Sequence, residues 1–143
     1  MNSCIVHIGM HKTGSSSIQH SLRNFKDAQF VYAALGEDAN HSLAIFTAFG
    51  TQPERHPLHR KADRGPIALR DYAERVRGVL ERSISVAQGR TLIISGEDIS
   101  VLGEDELQRM RDFLEARFDS VTVVGYIRPP AGFMASSFQQ LVK

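Results

Sequence analysis

Gly9 and Gly14 bracket the segment HIGMHKTGSSSIQ, residues 7–19, in which one lysine and a run of hydroxyls crowd into a short turn. A glycine-containing turn that runs into a helix aims backbone N–H groups at one point and makes a site for an anion. Lys12 adds charge there, and Thr13, Ser15, Ser16 and Ser17 add hydroxyl donors. In the nucleoside-triphosphate loop G-x-x-x-x-G-K-[ST], the lysine follows the second glycine and the next hydroxyl holds Mg²⁺. Here the glycines keep that spacing, but Ser15 stands at the lysine position and Lys12 comes two residues before Gly14. Two other segments carry candidate chemistry. SGED at 95–98 offers Glu97 and Asp98 as a proton acceptor or a metal carboxylate. Arg128, in YIRPPAGFMASSF, can meet a phosphate with two parallel hydrogen bonds, which a lysine does less well.

These segments need a frame that brings them together. SCIVHI at 3–8 is an apolar, β-branched run ending at Gly9, the pattern of a buried strand. Ile18, Leu22 and Phe25 then mark one face of a helix. AQFVYAAL reads as a second strand and HSLAIFTAF as a short helix. Residues 50–66 combine prolines and charge with little apolar periodicity and read as a surface loop. From Pro66, the spacing of Leu69, Tyr72, Val76, Val79, Leu80 and Ile84 predicts a long amphipathic helix. RTLIIS at 90–95 is the next strand, Leu107, Met110, Leu114 and Phe118 stripe the next helix, and SVTVVGYIR at 120–128 is a further strand. Strands that are almost continuously apolar and alternate with helices predict an α/β fold, a parallel sheet with helices on both faces. Such sheets bind ligands beyond the carboxyl ends of their strands, where all three segments fall.

The length, 143 residues, suits a single domain spanning 1–143. Seventeen Lys and Arg against sixteen Asp and Glu leave a formal charge of +1, which calls for no nucleic-acid partner. Cys4 alone excludes an internal disulfide framework. The run from Cys4 to Ile8 is too short for a membrane span or signal peptide, so a cytoplasmic location is the default expectation. The pairs His7/His11 and His56/His59 have metal-like spacing, but neither is predicted to share a helical face, and no metal site is assigned. His11 reads as a solvated loop histidine, and the basic stretch ERHPLHRKADR as a solvated loop.

The loop and the arginine segment together resemble the sulfotransferases that use 3′-phosphoadenosine 5′-phosphosulfate (PAPS). Lys12, Thr13, Gly14, Ser15 and Ser16 match the K-[ST]-G-[ST]-[ST] core of that family's 5′-phosphosulfate loop. Arg128 and Ser136, eight residues apart, match its arginine and serine for the 3′-phosphate. The resemblance implies a three-layer sandwich like that of P-loop nucleotide-binding folds. It further implies that Lys12 approaches the oxygen bridging phosphorus and sulfur, and that Ser15 and Ser16, with the amides of Thr13 to Ser16, hold the 5′-phosphate. The product nucleotide would be 3′-phosphoadenosine 5′-phosphate (PAP). No metal is then required, because a sulfuryl group with one negative charge needs less neutralisation than a transferring phosphoryl group. The family places a histidine or glutamate near the sulfur as base, and Glu97, with Asp98 second, occupies the corresponding place.

The family's chains continue past the serine with elements that close over the adenine, so this sequence is expected to be incomplete at its C-terminus or a shortened member. An apolar helix side carrying Phe133, Phe138 and Leu141 is then expected to lack a partner and to favour a homodimer. Three readings stand open. One is a PAPS-dependent sulfotransferase, or its nucleotide-binding part, acting on a hydroxyl or amine of a small-molecule, carbohydrate or lipid acceptor. The second is a divergent, metal-dependent kinase-like enzyme in which Asp98 holds the metal, and the third is a non-catalytic nucleotide-binding module.

Overall fold

The computed structural model describes residues 2–142. Four strands, β1 (Ser3–His7), β2 (Phe30–Tyr32), β3 (Thr91–Ser95) and β4 (Ser120–Val124), form one parallel sheet in the order β2-β3-β1-β4. The helices are α1 (Ser15–Leu22), α2 (Ser42–Phe49), α3 (Pro57–Lys61), α4 (Pro66–Val86), α5 (Glu104–Glu115) and α6 (Pro130–Leu141). The expected α/β architecture is therefore present. Among the described residues, no helix is long and apolar enough to cross a membrane.

Alternation along the strands decides which face is the core. Cys4, Val6, Leu92 and Ile94 are all at most 3% exposed, and Ile45 and Phe49 of α2, Val76 and Leu80 of α4, and Met110 and Leu114 of α5 belong to the same cluster. Ile5 and Ile93, on the opposite face, are only half-buried, so the sheet is covered unevenly. On α4 the buried residues Leu69, Val76, Leu80 and Ser83 recur at helical intervals, which is the stripe that its sequence predicts.

Three boundaries differ from the sequence expectation. Helix α1 stops at Leu22 because Asn24 adopts a left-handed φ of 62°, leaving Phe25 outside it and exposed. Strand β2 is short because the Asp27 carboxylate accepts hydrogen bonds from the Gln29 and Phe30 amides in a tight turn just before it. Strand β4 ends at Val124, where Gly125 follows, and Pro129 and Pro130 beyond it have no N–H to donate to a ladder. On α6, Phe138 and Leu141 are exposed and Phe133 is half-buried.

Residues 50–66 are not a plain surface loop. They hold a 3₁₀ turn at Pro53–Arg55 and then α3, which starts with Pro57 at its first position and is capped by His56. His59 is 1% exposed inside this segment; its Nε2–H donates to Thr47 Oγ1 at 2.6 Å, while Arg64 donates to its Nδ1 at 2.9 Å. The segment is anchored by polar contacts rather than by an apolar stripe, which is why periodicity does not reveal it.

Buried His41 ties this architecture to pH. It stacks on Tyr32 with ring centroids 4.6 Å apart, and its Nδ1 accepts the Ser95 amide at 3.1 Å. Burial lowers its pKa from the ordinary 6.5 to about 4. The unfolded chain binds the extra proton first, so stability is full above 6.5 and is lost as pH falls towards 4. His41 alone is expected to contribute about 3 kcal/mol to that loss. Urea midpoints at about pH 7.5 and about pH 4.5 check this; equal midpoints would contradict it.

Candidate functional site

The sheet register sets the site. His7 pairs with Ser95 on one side and with Val124 on the other, so β1, β3 and β4 end at the same level. The Gly96 amide donates to His7 O and the Ile8 amide to Val124 O, each a step beyond the last paired residues. Three connections therefore leave one edge side by side: the Gly9–Ser17 loop, Gly96–Asp98, and Gly125–Arg128. In this order the chain has placed β3 and β4 on either side of β1, the arrangement that opens a crevice at the strand ends.

Within the loop, Gly9 is buried, and a Cβ there would collide with the Ser15 side chain. Gly14 takes a φ of 85°, which glycine adopts without penalty. Lys12 also sits in the left-handed region, at φ 65°, a conformation that costs a lysine about 1–2 kcal/mol. Its backbone is held there from outside the loop: Arg128 Nη1 donates to Lys12 O at 2.7 Å. Thr13 Oγ1 donates to Met10 O at 2.5 Å and lies 3.2 Å from Ser15 Oγ. Ser15 is 2% exposed, so its hydroxyl faces the inside of the loop, whereas Ser16 and Ser17 are exposed in the first turn of α1. No side chain caps α1, which leaves its first amides directed at the loop opening.

Arg128 precedes α6 and folds against it. A Cβ on Gly132 would lie 3.2 Å from Arg128 Nε, so the helix passes close beside the guanidinium stem. Ser136 is half-buried one helical turn beyond Gly132, on the same side of α6. Lys12 and Arg128 are thus in contact, with Ser136 on the helix face next to the arginine.

Glu97 and Asp98 open a 3₁₀ turn, Glu97–Val101, after β3. That turn is seated on α2: a Cβ on Gly96 would press on the Ser42 backbone, and the Asp98 amide donates to Ser42 Oγ at 3.1 Å. His11 bridges the two carboxylates, with Nδ1 2.9 Å from Glu97 Oε2 and Nε2 3.3 Å from Asp98 Oδ1. It is exposed, as its loop position suggests, but it is not free. Asp98 Oδ2 also meets Nε2 of buried His56 at 3.0 Å. Sequence reasoning missed this role of His56, whose one local sign was Pro57 directly after it, the pattern of a helix start. Asp98 and His56 also line a cavity of about 690 Å³, bounded by Thr51, Arg55 and Glu104.

His7 lies beneath the loop, its Nδ1 2.7 Å from Ser95 Oγ and its ring edge-on to Tyr126. Burial lowers its pKa, while the nearby Glu97 charge works in the opposite direction. Its Nε2 and the Nε2 of Gln19 on α1 are buried without a protein partner among the described residues. No group of three or more His, Cys, Asp and Glu side chains poised to hold a metal occurs among the described residues.

Compared with family models, with curated proteins and with solved structures, the chain gave no match.

Proposed function

We propose that the chain is a PAPS-dependent sulfotransferase, or the nucleotide-binding part of one. The observation that carries this reading is the contact between Arg128 and Lys12, 116 positions apart. The two segments that resemble the 5′-phosphosulfate loop and the 3′-phosphate motif lie side by side at the ends of adjacent strands. A ligand with phosphates at both ends of a ribose is the kind of molecule such a pair would recognise.

In this reading Ser16 and the first α1 amides hold the 5′-phosphate, with Ser17 beside them; Ser15, expected to share that role, is turned into the loop and with Thr13 and Gly14 shapes it. Arg128 and Ser136 take the 3′-phosphate. The acceptor oxygen or nitrogen forms a bond to sulfur as the bond from sulfur to the bridging oxygen breaks, and PAP leaves with that electron pair. Lys12 stabilises the charge growing on the bridging oxygen, and Glu97 takes the acceptor's proton. The cavity lined by His56 and Asp98 offers room for an acceptor on the Asp98 side of this cluster.

Transfer of labelled sulfate from PAPS tests this reading. Activity is expected to survive EDTA, because Lys12 supplies the positive charge at the leaving oxygen. Activity that disappears on chelation and returns with Mg²⁺ would favour the kinase-like alternative, with Asp98 as the metal carboxylate.

A further inference from the structure

His56 lies outside every segment that the sequence marks for chemistry, yet its contacts reach the phosphate loop. Its two ring nitrogens have different partners. Nδ1 accepts the Leu58 amide at 3.2 Å, so it carries no hydrogen, and the ring proton of the neutral tautomer must be on Nε2. That N–H points at Asp98 Oδ2, 3.0 Å away. The other oxygen, Oδ1, faces His11 Nε2, and His11 Nδ1 faces Glu97. These two contacts, 3.3 and 2.9 Å long, hold the His11 ring between the two carboxylates. His56 is 6% exposed, against 48% for the His11 side chain. The chain of contacts therefore runs from a rigid, buried, uncharged donor to a group in touch with water.

We propose that His56 is a positioning residue for the transfer step: by fixing Asp98, it fixes His11 and through it Glu97, beside Lys12. This rests on the sulfotransferase reading. When the acceptor's O–H proton passes to Glu97, Glu97 then releases a proton to water, so the carboxylate ends the cycle as it began. Water itself can serve as the acceptor. Its oxygen then bonds to sulfur, the bond to the bridging oxygen breaks, and the products are sulfate, PAP and a proton.

His56 also caps α3 and packs edge-on against Phe46, so a loss on mutation could be structural alone. Two substitutions separate the roles. His56→Asn keeps a good capping oxygen but is too short to reach Asp98, whereas His56→Gln carries an amide N–H near the position of Nε2 and is the poorer cap. Imidazole ¹⁵N spectra of the full chain are expected to show His56 as the Nε2–H tautomer. The His11 ring signals are expected to move in His56→Asn and to stay in place in His56→Gln. Sulfate release from PAPS in water should fall about tenfold in kcat for His56→Asn, with KM for PAPS unchanged, and be retained in His56→Gln.

An Nδ1–H tautomer, or His11 signals indifferent to His56→Asn, would overturn the proposal, as would wild-type turnover in His56→Asn. The spectra need no nucleotide, so they fail or succeed apart from the sulfotransferase reading. If the wild-type protein fails to bind PAP, that reading falls. If it binds PAP and shows the expected spectra but releases no sulfate, the assignment of His56 to the transfer step falls.

Discussion

Replacing Arg128 with alanine is expected to weaken PAP binding by about 2–3 kcal/mol, the typical loss for a charge-assisted contact to phosphate. AMP, which has no 3′-phosphate, should lose less than about 1 kcal/mol. The AMP measurement is needed because Arg128 also donates to Lys12 O, and removing it frees the carbonyl of a residue held at φ 65°. If loop distortion were the whole effect, both nucleotides would weaken equally. Calorimetry on the wild-type and Arg128→Ala proteins separates the outcomes, and equal losses would remove the 3′-phosphate role from Arg128.

The second large effect is expected at Glu97. Glu97→Gln keeps the size of the side chain and an oxygen that can accept from His11 Nδ1, but it cannot take a proton. Turnover should fall by about 10²-fold or more while PAP affinity stays the same. The split is the informative part, since a carboxylate that only held the loop in shape would change nucleotide affinity as well. Normal turnover in this variant would move the base to Asp98 or His11, both of which lie in the same cluster of charged contacts.

The strands β1 and β3 and the helix α4 were legible because each is governed by one local rule. β1 and β3 are apolar runs with their inward residues fully buried, and α4 repeats its apolar residues at helical intervals. Candidate site residues on the loop were legible for a similar reason: Gly9, Lys12 and Gly14 are close in sequence, so the strand, turn and helix start are read from one short stretch. What stayed hidden depends on partners far along the chain. His56 and His59 sit in a charged, proline-containing stretch, and their burial depends in part on Asp98 and Thr47, 42 and 12 residues away. The Arg128 contact with the loop is to a backbone carbonyl, which leaves no trace in residue type. Ser15 is a different case: its position was legible but its direction was not, because the collision of a Gly9 Cβ with its hydroxyl depends on the folded loop.

The site itself is assembled by register more than by any single motif. Shifting β4 by one residue against β1 would turn each of its side chains to the opposite face and move Gly125–Arg128 away from Lys12. The pairing of His7 with both Ser95 and Val124 therefore fixes where the three connections emerge.

In the proposed function, this edge of the sheet reads a nucleotide with phosphates at both the 5′ and 3′ positions. Titration calorimetry with PAP, AMP and ATP on the wild-type chain tests it most directly. PAP is expected to bind at least about tenfold more tightly than AMP or ATP, the equivalent of 1.4 kcal/mol or more from the 3′-phosphate. Equal affinities for the three, or a preference for ATP, would contradict the account.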